Sequence, residues 1–204
     1  MTQLTKSDLL EFEAMVEANG PSMSSNSNDE IVFRGSNEDR VTIEYVRQPA
    51  SDARAFAEIM ENNPLHFRDA GFHAILPLAK SIEMHIRLLF LGNENKNFAN
   101  NGFQLAKALN EMEKIISGKG QHTEHIIGFQ EKKFQATGIL WDKFCTDGMK
   151  NEKRRLINTS RKIYKKGNPY RHNKVKSWND IKTQYQSVIE SFDKFIELFD
   201  EITE

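Results

Sequence analysis

The sequence has a single cysteine, Cys145, among its 204 residues. One thiol cannot form a disulfide within the chain, so the fold must be stable without an internal cross-link, as is usual in a reducing compartment. Cys145 directly follows the apolar stretch 139–144. This position favours a small core residue over a reactive nucleophile.

Long apolar runs are also missing. The longest, residues 86–91, is interrupted by Arg87 and is much shorter than the roughly 20 residues that cross a bilayer as a helix. The first ten residues contain no apolar core of a secretory signal. The sequence therefore predicts a protein of the cytoplasm that does not insert into a membrane.

Several motifs that would indicate an enzyme class are absent from the sequence. It contains no glycine-rich loop of the kind that cradles nucleotide phosphates, no Gly-x-Ser-x-Gly motif, and no Cys and His spacing typical of zinc. The sequence therefore predicts no cofactor and no metal site.

What the sequence does contain is a strongly uneven distribution of charge. The chain has 28 basic and 29 acidic residues, a net charge of −1. Residues 150–176 nevertheless hold eleven basic residues against the single acidic Glu152, a net charge of +10. The rest of the chain is correspondingly acidic. The basic residues of this segment are Lys150, Lys153, Arg154, Arg155, Arg161, Lys162, Lys165, Lys166, Arg171, Lys174 and Lys176.

Three interpretations of this basic segment are open. It is a solvated loop between two helices, a surface for RNA or DNA, or a docking surface for an acidic protein partner. For the nucleic-acid interpretation, the candidate phosphate-binding residues are Arg154, Arg155, Arg161, Lys162, Lys165, Lys166, Lys174 and Lys176. Tyr164, Tyr170 and Trp178 are interleaved with them and suit either stacking on unpaired bases or packing on a neighbouring helix.

The apolar periodicity predicts a mainly α-helical protein with an N-terminal extension. Residues 1–50 are expected to form a helix over 7–18, a flexible polar linker over 22–30, and a short β-hairpin from strands 31–34 and 41–46. Residues 51–204 are expected to form a bundle of four to five main helices.

The helices of the bundle follow from apolar residues spaced three or four apart. They are predicted over 51–61, over 66–91 with a bend or restart at Pro77, over 102–116, over 122–145, and over 177–202. The last has the clearest amphipathic stripe, and Ser177 with Asp180 resembles a capping box at its start.

Three elements of the bundle, in order along the chain, resemble the HEPN superfamily ("higher eukaryotes and prokaryotes nucleotide-binding"). Residues 79–91 resemble the early core helix of that family, with Glu83 one turn before the basic Arg87. Residues 102–105 with Leu109 resemble the Gly-His-Asp-Leu start of the next helix. Residues 169–173 resemble a late Arg-Tyr-Pro element.

This resemblance implies a small helical bundle, often a homodimer, and commonly a metal-independent ribonuclease with an Arg-x4–6-His signature. The chain departs from that signature. In the late position of the motif, Asn168 and His172 have the expected spacing, but Gly167 stands where the family has arginine. Phe103 and Gln104 likewise replace the His and Asp of the family.

Two Arg and His pairs are the candidates for catalysis. Arg171 and His172, within the basic segment, are favoured: His172 as the general base and Arg171 as the cation on the phosphate. The alternative is that they form a structural turn that caps a helix. Arg68 and His73 match the Arg-x4-His string but precede the Glu83 helix, and a purely structural role is favoured for them.

Taken together, the sequence predicts an RNA-directed, HEPN-like protein of a prokaryotic defence or toxin-type system. It would be a metal-independent endoribonuclease or a catalytically lapsed RNA-binding relative, with a homodimer expected. The alternative function is a non-enzymatic interaction module whose basic segment docks on an acidic partner.

Overall fold

The described part of the chain is built almost entirely from helices. A computed structural model describes residues 42–64, 68–92, 103–119, 124–126, 133–136, 139–146, 148–172 and 174–204. The helices are α1 (Ile43–Asn62), α2 (Ala70–Ala74), α3 (Leu76–Leu91), α4 (Leu105–Ile116), α5 (Ile139–Cys145), α6 (Lys150–Arg171) and α7 (Trp178–Thr203). Two short strands, β1 (Glu124–Ile126) and β2 (Lys133–Gln135), lie between α4 and α5.

The mainly helical class is confirmed, and the described residues hold more helices than the four to five main ones predicted. Five of these helices have 12 residues or more, and α2 and α5 are shorter. The predicted N-terminal helix, the linker and the first strand of the predicted hairpin lie outside the described residues. The division into an extension and a bundle at residue 50 stays a prediction.

The second strand predicted for the hairpin, over 41–46, is wrong, because α1 already begins at Ile43. Thr42 caps this helix, and its Oγ1 accepts a hydrogen bond of 3.2 Å from the Tyr45 backbone N–H. The alternating Val41, Ile43 and Tyr45 suggested a strand. The buried residues of α1, which include Val46 and Ala50, instead follow the three- and four-residue steps of a helix.

The predicted restart at Pro77 is confirmed. Helix α2 ends at Ala74, and α3 begins at Leu76, so that Pro77 lies in the first turn, where its missing N–H leaves no hydrogen bond unmade. Most residues of α3 are buried. It is the central helix of the bundle and contacts α1 and α6 along its length.

The long helix predicted over 122–145 is wrong at residues 124–126 and 133–135. These are strands β1 and β2, which pair antiparallel with His125 opposite Phe134. The described helix within the predicted range is α5, from Ile139. The β-branched pair Ile126 and Ile127 followed by Gly128 favours a strand and a turn, and this local preference competes with the helical apolar spacing.

The basic segment is a helix over most of its length, so the interpretation as a loop is wrong. Lysine and arginine are good helix formers, and α6 runs for 22 residues from Lys150. One face of α6 is buried, with residues spaced three or four apart. These residues are Lys153, Leu156, Ile157, Ser160, Ile163, Gly167 and Tyr170.

The last helix, α7, agrees closely with its prediction. The capping box at Ser177 and Asp180 is present, and the predicted apolar stripe is buried apart from Ile196, which is partly exposed. Helix α7 packs on α6. Two ion pairs hold it to α1: Arg47 to Asp200 at 2.5 Å, and Arg54 to Asp193.

A buried histidine lies where α3 meets α7. His85 is fully buried, and its Nδ1–H donates a hydrogen bond of 2.7 Å to the Ser81 carbonyl. The rings of Phe195 and Phe199 meet the imidazole edge to face, with centroids 5.4 and 4.9 Å away. Its Nε2 has no hydrogen-bond partner among the described residues. Burial lowers the pKa of His85 to about 4; the Ser81 hydrogen bond opposes this shift, and the nearby Arg47 cation adds to it.

We expect the free energy of unfolding to depend on pH through His85. Its pKa is about 4 in the folded state and about 6.5 in an unfolded chain, so the unfolded state binds the proton first. The contribution of the neutral His85 to the free energy of unfolding is therefore fully present above about pH 6.5. It falls as the pH drops from about 6.5 towards 4, by at most about 1.4 kcal/mol per pH unit. Urea unfolding at pH 7 and pH 5 measures the loss.

His85→Leu should remove this part of the pH dependence because the substituted chain has no imidazole to protonate at this position. His172→Gln is the matched control, since it removes an imidazole that is exposed. If the free energy of unfolding changed equally with pH in the His85→Leu and His172→Gln proteins, the pH dependence would not come from His85.

Candidate nucleic-acid interface

The exposed face of α6 carries a dense row of positive charge. At 100° per residue, the buried positions occupy one side of the helix, and the basic positions other than Lys153 and Arg171 occupy the other. From Lys150 to Lys166 this row extends over about 24 Å, at 1.5 Å per residue. The exposed cations of the row are Lys150, Arg154, Arg155, Lys162, Lys165 and Lys166, with Arg161 half-buried beside them.

Between Lys150 and Lys166, three cations are engaged in contacts within the protein. Arg161 donates to Asn110 Oδ1 and Glu113 Oε2, both at 2.7 Å, and so joins α6 to α4. Lys162 Nζ donates to Ser191 Oγ of α7 at 3.0 Å. Lys153 is buried, and its Nζ donates to the Thr146 carbonyl at 2.6 Å.

Most of the other predicted phosphate-binding residues have no acidic partner among the described residues. The predicted residues that form no ion pair there are Arg154, Arg155, Lys165, Lys166 and Lys174. Lys150, which was not among the predicted residues, forms none either. Lys176 is also exposed and lies close enough to Asp180 to lower the pKa of that carboxyl, although hydrogen bonds from Ser177 are the larger cause.

The acidic residues of the described chain are concentrated on other helices. Helix α7 carries six acidic and two basic residues, whereas α6 carries nine basic residues and one acidic residue. The cations near α7 are mostly paired: Lys182 with Glu61, and Lys194 with Glu197. The charge asymmetry of the sequence is thus also an asymmetry between surfaces.

Arg171, the favoured catalytic cation, is held by the early core helix. Its Nη2 donates to Glu83 Oε2 at 2.9 Å, and its guanidinium lies 5.8 Å from the centroid of the Tyr164 ring. Glu83 also pairs with Arg87, one turn further along α3, at 3.5 Å. Nothing in the sequence indicated that Arg171 would share this carboxylate.

Lys80 adds a third cation to the group around Glu83. Burial lowers the pKa of Lys80, the Arg171 cation lowers it further, and Glu83 opposes both effects. Two arginines and a lysine thus surround a single carboxylate at the junction of α3 and α6. This cluster anchors Arg171 and leaves it less able to reorient than a solvated side chain.

His172, the favoured general base, ends helix α6. It is the C-cap residue, its backbone N–H donates to the Pro169 carbonyl at 3.3 Å, and its side chain is exposed. No described side chain hydrogen-bonds its imidazole. This is the geometry expected if Arg171 and His172 form a structural helix end.

The second candidate pair, Arg68 and His73, lies on either side of a helix cap. Arg68 is exposed, and Asp69 caps α2 by accepting a hydrogen bond of 3.2 Å from the Phe72 backbone N–H. The His73 ring packs against Phe56, with centroids 5.1 Å apart. No described contact joins Arg68 to His73, so the structure does not bring these two side chains together as one site.

The two candidate pairs nevertheless lie at one corner of the bundle. The Ala70 N–H donates a hydrogen bond of 2.9 Å to the Lys176 carbonyl, which joins the start of α2 to the segment between α6 and α7. We call residues 68–73 together with 172 and 174–177 the α2 corner. The α2 corner lies next to the C-terminal end of the basic row.

Of the three aromatic residues proposed for stacking on bases, two belong to the core. Tyr170 and Trp178 are buried, and Tyr164 is half-buried beneath Arg171. The packing interpretation is therefore correct for Tyr170 and Trp178. Phe72, which was not a candidate from the sequence, is instead exposed at the α2 corner. No sequence pattern distinguished it from the aromatic residues of the core.

Cys145, at the end of α5, is partly buried and packs against the core, as its apolar context predicted. Burial raises the pKa of its thiol to about 11; the neighbouring Asp142 carboxylate adds to this shift, and the Lys153 cation opposes it.

A groove of about 370 Å³ lies between α1 and α7, on a different surface from the basic row. Its charged lining includes Arg47 and Arg54, whose guanidinium groups are paired with Asp200 and Asp193.

Within the described ranges, no group of three or more metal-binding side chains is present. No helix in those ranges is long and apolar enough to cross a membrane.

Comparison of the chain with known protein families, with curated proteins and with solved structures finds no match.

The close approach of α3 and α6 accounts for Gly167 in the position where the HEPN motif has arginine. A Cβ atom at Gly167 would lie 2.4 Å from the Cβ of Ala79 on α3. No side chain fits at that distance without separating the helices. An arginine at this place is therefore incompatible with the observed packing.

We expect Gly167→Ala to lower the free energy of unfolding by about 1–3 kcal/mol, because the added methyl group overpacks the α3–α6 contact. Alanine is the better helix former, so the steric effect must exceed that gain. Urea unfolding measures the change. Asn158→Ala, at an exposed position of the same helix, is the control and should not destabilise.

Combining Gly167→Ala with Ala79→Gly should recover part of the lost stability, because the second change removes the methyl group that the first one meets. A Gly167→Ala protein as stable as the parent would show that the two helices are not in the close contact described.

Proposed function

We propose that the protein binds RNA through the exposed basic face of α6. The observation that carries the proposal is the set of cations on this face that form no ion pair with any described residue. These are Lys150, Arg154, Arg155, Lys165 and Lys166. Cations on other surfaces, such as Lys182 and Arg54, are already paired with carboxylates.

Cations on the exposed face of α6 repel one another when no anion is bound. Lys162 and Lys166 are four residues apart on one face, as are Lys150 and Arg154, and like charges at this spacing destabilise a helix by about 0.2–0.5 kcal/mol per pair. The cations at the start of α6 also face the positive end of the helix dipole. A polyanion on this face relieves both repulsions and releases its own counterions.

RNA is the proposed ligand because of the resemblance to the HEPN superfamily in residues 79–91, 102–109 and 169–173. The same resemblance is the basis for proposing a homodimer and a role in a prokaryotic defence or toxin-type system, in the cytoplasm. Helix α3, with its Glu83 and Arg87 pair, and the basic helix packed on it are the features of the fold that fit this proposal.

We propose binding without cleavage, as in a catalytically lapsed relative. A metal-independent ribonuclease needs a positioned base and acid and a cation on the phosphate. His172 is solvent-exposed without a described group to orient its imidazole, and Arg171 is bound to Glu83. The packing at Gly167 also excludes the Arg of the motif.

The binding proposal is tested by the salt dependence of affinity. The variant with Arg155, Lys165 and Lys166 changed to Ala should bind labelled single-stranded RNA more weakly. The slope of log K against log salt should also be shallower by about 2 units, because each lost phosphate contact removes about 0.7. Fluorescence anisotropy between about 50 and 200 mM salt measures both quantities.

The matched control changes Lys114, Lys182 and Lys194 to Ala, which alters the net charge equally but removes cations that are paired with Glu111, Glu61 and Glu197. This control should retain the affinity and the slope. Equal losses in both triple variants would mean that net charge alone acts, and no binding by the parent protein would refute the proposal.

We expect the RNA to remain intact during metal-free incubation, with and without His172→Ala, because no described residue assists His172. Gel analysis of end-labelled RNA in the presence of a chelator measures this. Cleavage that is lost in the His172→Ala protein would contradict the lapsed assignment and identify His172 as a catalytic residue.

The second candidate function is docking of the basic face on an acidic protein. The acidic surface of α7 favours it, because it shows that this chain itself presents a complementary surface. In that case the Arg155, Lys165 and Lys166 variant would change the oligomeric state in sedimentation experiments, and RNA would not bind.

A further inference from the structure

The α2 corner combines exposed apolar surface with positive charge. Among the described residues, three large apolar side chains are exposed: Phe72 at 37%, Met149 at 37% and Val175 at 61%. Phe72 and Val175 both belong to the α2 corner, whereas Met149 lies at the opposite end of α6. Isolated apolar residues on a surface are ordinary, but here two of the three flank a single backbone contact.

That contact fixes the position of both residues. The hydrogen bond from the Ala70 N–H to the Lys176 carbonyl joins the two segments; Phe72 follows Ala70 by two residues, and Val175 directly precedes Lys176. The Asp69 side chain holds the Phe72 backbone N–H, and the Phe72 ring meets the His73 ring edge to face at 5.3 Å. The aromatic ring is thus carried on a backbone that hydrogen bonds restrain.

Two cations of the α2 corner accompany this apolar surface. Arg68 and Lys174 are exposed, and neither forms an ion pair with a described residue. The carboxylates nearby serve as helix caps: Asp69 for α2, and Asp180 through its bonds with Ser177. The corner is therefore positively charged, and it continues the basic row of α6 beyond its C-terminal end.

An exposed aromatic ring among cations is the combination that binds single-stranded nucleic acid: the ring stacks on a base and the cations hold the phosphates on either side. A duplex conceals the faces of its bases, so such a corner discriminates against it. We propose that the α2 corner binds an unpaired nucleotide, with the base stacked on Phe72 and the adjacent phosphates on Lys174 and Arg68. This inference rests on the proposed binding of RNA by α6.

The test compares the affinity of the full chain for a labelled single-stranded RNA and for the same RNA annealed to its complement. Single strands should bind more tightly at equal salt. Phe72→Ala should weaken binding of the single strand by about fivefold or more, the lower limit of base stacking. It should leave the salt slope unchanged, because no phosphate contact is lost, and affinity for the duplex should also be unchanged.

Two further variants separate stacking from a loss of folding. Phe72→Trp keeps an aromatic face, so it should retain the affinity, and its added indole emission should be quenched by single-stranded RNA. Met149→Ala removes a side chain of equal exposure at the other end of α6 and should have no effect. Circular dichroism checks that each variant is folded.

The possible outcomes distinguish this inference from the proposed function. Equal affinity for single strands and duplex, with no effect of Phe72→Ala, would overturn the stacking inference and leave binding by α6 intact. An equal loss of affinity in the Phe72→Ala and Phe72→Trp proteins would also overturn it. Absence of any RNA binding would refute the proposed function itself.

Discussion

The contact between α3 and α6 at Gly167 and Ala79 is the constraint on which the rest of the structure depends. Without a side chain at Gly167, the backbone of α6 comes directly against α3, since even a methyl group there would lie 2.4 Å from the Ala79 Cβ. At the α2 corner, near the end of α6, a Cβ at Gly71 would likewise overlap the Tyr170 ring. Two glycines therefore fix where the basic helix lies and how α2 meets its end.

This close packing determines which side of α6 faces water. Once Gly167 is buried, helical geometry buries Ile163 and Tyr170 with it and directs most of the lysines and arginines outwards. Two cations are exceptions. Lys153 is buried and bonds the Thr146 carbonyl. Arg171, one position beyond Tyr170, is within reach of Glu83. The surface charge and the anchored arginine thus have the same structural origin.

The sequence predicted elements well wherever a long apolar stripe had no competitor, as in α7 with its capping box and in the restart of α3 at Pro77. It failed where two periodicities overlapped. Residues 43–46 alternate like a strand but belong to a capped helix. Residues 124–126 and 133–135 were predicted as helix but pair as antiparallel strands. The cations of α6 were visible in the sequence. Their pairing was not, because the contacts of Arg161 with Glu113 and of Arg171 with Glu83 join residues 48 and 88 positions apart. The HEPN resemblance stays a prediction.

The environment of Cys145 has a practical consequence for chemical labelling. With a thiol pKa of about 11, about one molecule in ten thousand carries the reactive thiolate at pH 7. The native cysteine should therefore react slowly with maleimides and with disulfides. A cysteine introduced on the exposed face of α6 would be modified first, so that a probe can be attached beside the basic row without first removing Cys145 from the core.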